Sequence, residues 1–248
     1  MSSAVRDLMI RVTILLGFFV FLYKLVYTNE IILYVHPRFT SFIEIACVLF
    51  FLMLLRQCWK FKKTRELRDS HSCFHDRILN YLPFILTLLV AFLLPNADLN
   101  ANMVNNRGLN SNLTNKSSSE DYRNELQQAT FVKITDSNFL GVLRELTYHP
   151  EENSGKRIEL KGFAYKSNDE LPGSTSLVRY VVGCCAADAY PYGIICETAD
   201  SAILTEGAWY EVQGTLQTRQ VNGRNVPVVQ VTWVAAIDRP ACPYIFPN

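Results

Sequence analysis

The stretch SLVRYVVGCCAADAYPYGIICE, Ser176 to Glu197, decides how the C-terminal half of this chain is read. Ser176 to Cys185 is mostly apolar and rich in β-branched residues, the composition of a strand. Asp188 and the run Pro191-Tyr192-Gly193 supply turn chemistry. Tyr192 to Glu197, YGIICE, reads as a second, shorter strand. The stretch therefore predicts strand, turn of small residues, strand, with two adjacent cysteines at the break.

Working outward, three more segments read as strands. RIELKGFAYK, Arg157 to Lys166, places Ile158, Leu160 and Gly162 on one face against charged neighbours. AWYEVQGTLQTR, Ala208 to Arg219, and VPVVQVTWVAAI, Val226 to Ile237, flank Asn222-Gly223, a two-residue hairpin signal. A short helix precedes them, with Thr135 or Asp136 as its cap, Phe139, Leu140, Leu143 and Leu146 on one face, and His149-Pro150 at its end. Five strands and one short helix predict an OB-like small barrel, with a β-sandwich as the alternative. Gly162 and Gly214 are placed where strands of such a barrel coil sharply.

The N-terminal part is of another kind. Three apolar runs, Met9 to Tyr27, Phe39 to Leu55 and Ile78 to Leu94, each have roughly the 17–20 residues that carry a helix across a bilayer core. No small-x-small cleavage pattern follows the first run, so a removed signal peptide is not expected. Arg56, Lys60, Lys62, Lys63, Arg65, Arg68 and Arg77 crowd the segment between the second and third runs. The positive-inside rule puts that segment, and the N-terminus with Arg6 and Arg11, in the cytoplasm. Three crossings of the plasma membrane then leave the C-terminal domain extracytoplasmic. The expected organisation is a three-span α-helical membrane module (1–95), a linker (96–130) and a β-rich outer domain (131–248). The linker is Asn/Ser-rich and too poor in apolar residues to fold alone. Its sequons at Asn112 and Asn115 are what Asn-rich text produces by chance.

The net charge of +1 and the lack of a long basic run argue against a nucleic-acid partner. No nucleophile–base–acid set, phosphate-cradling glycine loop or paired carboxylates in a cleft is apparent, so an enzyme is not expected.

Several motifs together resemble the YcgQ-type small subunit of a bacterial two-gene permease family. They are Tyr34-Val35-His36-Pro37-Arg38, Asn106-Arg107-Gly108, Gly162-Phe163-Ala164-Tyr165, Arg179 with Cys184-Cys185-Ala186-Ala187-Asp188, and Pro243-Tyr244, and they span nearly the whole chain. The resemblance implies a membrane subunit working beside a larger multi-spanning permease. Some members carry a His-rich cytoplasmic loop suggestive of metal handling. Here that loop holds only His71, Cys73 and His75, which weakens the implication.

The candidate sites follow from donor chemistry. Neighbouring side chains on a regular strand face opposite ways, so Cys184 and Cys185 can share a metal only if the strand breaks between them. Cys184 and Asp188 can meet across a turn; Cys185 can instead pair with Cys196, and Cys242 is a further partner for a disulfide, which an oxidising compartment permits. A packed or disulfide-bonded structural pair, a metal or redox thiol site, and a partner-contact surface remain open for this stretch. Asp188 can equally serve the backbone of its turn. Arg179, inside an apolar strand, is expected to pair with Asp188 or Glu197 or to face a ligand or partner. His71 and His75, at i and i+4, with Cys73, form a second candidate for a divalent metal such as zinc, though a solvated basic loop explains them as well. Glu44, the only acid in a span, is an intramembrane functional candidate or an interfacial partner of Arg38, and Cys47 lies one turn on. The leading expectation is a non-catalytic subunit of a transport complex in the lipid bilayer, its outer domain binding a ligand or docking the permease. The alternative is a metal-handling membrane protein. A thiol–disulfide enzyme is disfavoured because no C-x-x-C occurs.

Overall fold

A computed structural model of the chain describes residues 3–64, 74–93, 99, 101–110, 119–166, 174–198, 203–221 and 223–247. His71, Cys73, Asn112 and Asn115 lie outside the described residues, as does the side chain of His75. The chain divides into two compact units, Met1–Asp98 and Leu99–Asn248.

The first unit is helical: α1 (Ser3–Tyr27), α2 (Thr40–Thr64) and α3 (Phe74–Leu93). The Tyr34–Arg38 motif starts α2. Pro37 occupies the first turn of a short 3-10 helix, and His36 caps it by accepting a hydrogen bond from the Arg38 N–H at 3.1 Å. Helix α1 is the central element, packing on both α2 and α3. Phe18 stacks on Phe50 and Phe21 meets Phe92 edge-on. A polar cluster ties α1 to α3: the Tyr81 hydroxyl donates to Asp7 at 2.8 Å, while Arg11 donates to Tyr81 at 2.8 Å and pairs with Asp7 at 2.9 Å. Two helices, covering Arg6–Tyr27 and Pro37–Lys60, are long and apolar enough to cross a membrane, and only 6% and 11% of their apolar windows are buried. A core helix of a soluble protein would be mostly buried. The described apolar part of α3, Asn80–Leu93, is shorter.

The second unit is built on seven strands: β1 (Phe131–Lys133), β2 (Arg157–Tyr165), β3 (Thr175–Val181), β4 (Tyr190–Glu197), β5 (Trp209–Val221), β6 (Arg224–Ala236) and β7 (Tyr244–Ile245). The five long strands lie close to where the sequence puts them, but β3 ends at Val181 rather than Cys185, and Pro191-Tyr192-Gly193, expected as a turn, lies within β4, where it pairs with β3. The short β1 and β7 add themselves in parallel to β2 and β3, and only their tertiary neighbours make them strands. β5 and β6 form the long hairpin with Val221 opposite Arg224, and β6 runs parallel to β4 at Ile195–Glu197. β4 pairs with β3, and β2 pairs with β5 over most of its length and with β3 at its end, Phe163 opposite Val178. The pairings β2–β5–β6–β4–β3–β2 therefore close on themselves.

Two glycines permit this path. A Cβ on Gly162 would come within 2.9 Å of the Val178 carbonyl oxygen, at the point where β2 passes from one neighbour to the other. Gly214 sits at the register shift between β5 and β6, where a Cβ would meet the Gln230 carbonyl. Helix α6 (Phe139–Tyr148) adds Phe139, Val142, Leu143 and Leu146 to the same core as Leu160, Leu177, Val212 and Val229.

Two expectations are corrected. The N-cap of α6 is Asn138, not Thr135 or Asp136. Its side chain accepts from the Thr135 N–H and donates to the Lys133 carbonyl, so it fastens the entering loop rather than the helix end. The 96–130 stretch is not a free linker in its described parts. It contains α4 (Ala101–Arg107) and α5 (Ser119–Gln128), and Val104 and Leu126 are buried in the second unit. Composition averages over such a segment, whereas a few well-placed apolar residues and amides suffice to dock it on a preformed surface.

Substituting Gly162→Ala forces the β2–β3 crossing apart and is expected to cost about 1–3 kcal/mol, as overpacking does. Urea unfolding of the detergent-solubilised chain, followed by Trp209 and Trp233 fluorescence in a Trp59→Phe background, reads the loss.

Candidate functional site

The Cys-Cys-Ala-Ala-Asp stretch begins where β3 stops. The last backbone bond on this side is from the Val182 N–H to Ile245 of β7, at 2.9 Å. The next two N–H groups have no strand to meet, and the Asp188 carboxylate accepts both, from Gly183 at 2.9 Å and Cys184 at 2.7 Å. Asp188 in turn donates its own N–H to the Cys185 carbonyl at 3.0 Å, closing a turn of 3-10 helix, Ala186–Asp188. The strand thus breaks before the cysteines. Their sulfurs, which a continuous strand would send to opposite faces, lie 3.8 Å apart. Cys184 is exposed and Cys185 half-buried. One ligand atom from each of Cys184, Cys185 and Asp188 lies within 4.8 Å of the others.

The loop is braced from α4 and the turn after it. Arg107 donates to the Ala187 carbonyl at 3.0 Å and to the Ala189 carbonyl, with its guanidinium over the Tyr190 ring. Asn110, in the left-handed region at φ 56°, pairs with Gly193 as a strand would. It accepts from the Gly193 N–H at 3.0 Å and donates to the Gly193 carbonyl at 2.9 Å. The Tyr165 hydroxyl donates to Asn105. Sequence reading placed Asn106-Arg107-Gly108 in a linker. An Arg and two Asn beside a left-handed Gly108, φ 74°, were the available signal that this segment serves backbone groups elsewhere.

The electrostatics oppose thiolate formation. Hydrogen bonding to Asp188, and then to Cys185, pushes the Cys184 thiol up to about 11. Burial works against ionisation of Asp188, yet the Cys184 side chain and the N–H groups of Cys184, Gly183 and Cys185 hold its carboxyl below the usual range. The carboxylate is anionic and the thiol neutral at pH 7. A metal would have to displace the proton, and a nucleophile here would be weak.

Other expectations change. Arg179 does not pair with Asp188 or Glu197 and does not face outward. It is 3% exposed, held by Asp136 at 3.0 Å and by the carbonyls of Pro243 at 3.1 Å and Cys242 at 3.3 Å, with its guanidinium 5.2 Å from the Trp209 ring centre. It fastens the C-terminal segment to β3. Glu197 pairs instead with Arg219 at 3.3 Å. Cys196 is buried in the core and directs its thiol at the Ile194 carbonyl, and no disulfide joins the described cysteines. Glu44 is exposed on α2 one turn from the buried Cys47, and among the described residues no ion pair joins it to Arg38.

An apolar helical unit followed by a strand-ring unit with a braced Cys-Cys-Ala-Ala-Asp turn defines a two-part protein. Its two parts correspond to two sequence families in tandem. The DUF1980 N-terminal domain matches residues 10–110 and the DUF1980 C-terminal domain matches residues 109–247. The chain belongs to the DUF1980 family. It is similar to the UPF0703 protein YcgQ of Bacillus subtilis (strain 168), at 24% identity over 282 residues, covering 96% of this chain and 99% of that protein. The YcgQ-type family expected from the motifs is the family found. The family boundary at 109–110 falls in the Gly108–Asn110 turn, so α4 belongs to the N-terminal family domain by sequence and to the second unit by packing.

Asp188→Asn removes the charge that holds the Cys184 proton. Its thiol should fall toward the ordinary range, and alkylation by iodoacetamide at pH 8 should accelerate roughly tenfold or more. Peptide mass spectrometry of the full chain reads the rate at Cys184.

Proposed function

We propose that the chain is a non-catalytic subunit of a membrane transport complex. In this reading three helices cross the plasma membrane from a cytoplasmic N-terminus and carry an OB-like barrel outside, where it docks the larger permease or binds its ligand. The observation that carries the reading is the uncovered apolar surface of the first unit. Leu16, Val20, Ile45, Val48, Leu49 and Leu52 are all about half exposed, and so continuous a belt is untenable in water. A bilayer covers it naturally. The third crossing is supported by the apolar Asn80–Leu93 part of α3, and the orientation by the basic segment between α2 and α3. The barrel reading is supported by the closed pairing with its single parallel β4–β6 step. The suppressed ionisation of Cys184 supports a non-catalytic loop. The relative's name, UPF0703 protein YcgQ, says nothing about substrate.

Metal handling through Cys184, Cys185 and Asp188 is the second reading, favoured by the closeness of their ligand atoms. It requires the metal to take the place of the Cys184 proton.

Two measurements test the leading reading. In single-cysteine versions of the full chain, a membrane-impermeant maleimide should label Cys184 in intact cells and reach Cys58, at the far end of α2, only after permeabilisation; the reverse pattern refutes the orientation. An epitope-tagged chain expressed from its own locus, crosslinked and solubilised in mild detergent, should bring down a multi-spanning membrane protein. Recovery of the chain alone would sink the subunit role.

A further inference from the structure

Helix α6 ends at Tyr148 with His149 as its C-cap, and the chain doubles back through residues 150–156 into β2. The spacing Glu145, His149, Glu152 is i, i+4, i+7 along LRELTYHPEEN. The fold brings one carboxylate oxygen of each Glu and one imidazole nitrogen within 4.8 Å of one another. Glu145 is 1% exposed, and its Oε2 has no hydrogen-bond partner. An unpartnered buried carboxylate oxygen is costly, and a burial of this kind in a native fold calls for an explanation.

The neighbouring cations do not provide one. Arg123 of α5 spends its short contact, 2.6 Å, on Glu152 and stands 4.0 Å from Glu145 Oε1. Lys156 points its ammonium at the Leu126 carbonyl, 2.5 Å, and at Asn153 Oδ1, 2.7 Å. Asn153 in turn donates to the His149 carbonyl at 2.9 Å, which holds the corner closed. His149 Nδ1 lies 3.5 Å from Glu152 Oε1. Burial pushes the Glu145 carboxyl above its ordinary value, against the pull of His149, Arg123 and Lys156. The end of a helix, where carbonyl dipoles point outward, adds a field that favours a cation.

We propose that Glu145, His149 and Glu152 bind a divalent cation of the zinc class at the C-terminal end of α6. Two carboxylates and one imidazole are a borderline donor set, and three protein ligands leave a coordination position open. Arg123 holds one oxygen of Glu152 and Gln127 also hydrogen-bonds to its carboxylate, so Arg123 competes with the ion for this ligand. That arrangement suits reversible loading rather than a permanent structural metal. The site contains no sulfur and is separate from the Cys184–Cys185 pair, so its fate does not depend on the function proposed above.

The test uses the full chain in detergent with Cys184→Ser and Cys185→Ser, which removes the thiol pair from the count. Zinc chloride is titrated calorimetrically at neutral pH, and thermal unfolding is followed with and without zinc. Glu145→Gln and His149→Gln should each abolish one equivalent of zinc or weaken it at least about tenfold, and should lose the zinc-dependent rise in unfolding temperature. Arg123→Gln should tighten zinc binding several-fold. Equal stoichiometry and affinity in the parent and in His149→Gln overturn the proposal, as does an Arg123→Gln variant with unchanged or weaker affinity. His149 is only partly buried, so that variant decides the matter even if Glu145→Gln fails to fold.

Discussion

The ring of strands depends on one close approach. β2 serves two neighbours, β5 along its length and β3 at its end, and it can do so only because Gly162 lets the Val178 backbone come near. With a side chain there, β2 and β3 would separate and the sheet would open, exposing backbone groups at two edges. Closure also fixes what lies at the crossing. Phe163 stacks on Tyr180 and meets Trp209 edge-on, and the Arg179 guanidinium lies over that same indole. From there Arg179 reaches Asp136 on one side and the Cys242–Pro243 carbonyls on the other, tying the loop before α6 and the C-terminal segment to β3.

The second unit handles its carboxylates in two opposite ways. Asp188 sits where a strand has run out of partners, and each of its oxygens accepts one of the N–H groups the strand leaves behind. Its charge is thereby stabilised, and that charge keeps the adjacent thiol protonated. Glu145 has the opposite surroundings: deep burial, one oxygen without a partner, and cations that are engaged elsewhere. Of the two, the satisfied carboxylate explains a turn, and the unsatisfied one asks for a ligand.

The first unit follows a simpler logic. Its helices meet through aromatic contacts and an Asp7–Arg11–Tyr81 cluster, and they leave most of their apolar surface uncovered. Polar contacts and ring packing set which faces of these helices meet.

Much of this was legible in the chain. Long apolar helical runs, period-two strands and the Asn222-Gly223 hairpin are local patterns, and local patterns need only the helix or the pleat to be read. The motifs spread along the chain were enough to place it in its family. Tertiary structure alone decided the rest. Asn110 finds Gly193, Arg179 finds Asp136 and Cys242, and Asp188 rather than a strand takes the Gly183 and Cys184 N–H groups. The Asn/Ser-rich segment read as linker because composition counts apolar residues without knowing that a prepared surface awaits Val104 and Leu126. The Glu145–His149–Glu152 spacing was present in the sequence, but its meaning rests on burial, which depends on contacts between residues far apart in the chain. Periodicity along a chain reports which face a residue takes; it carries no record of what the closed ring brings against that face.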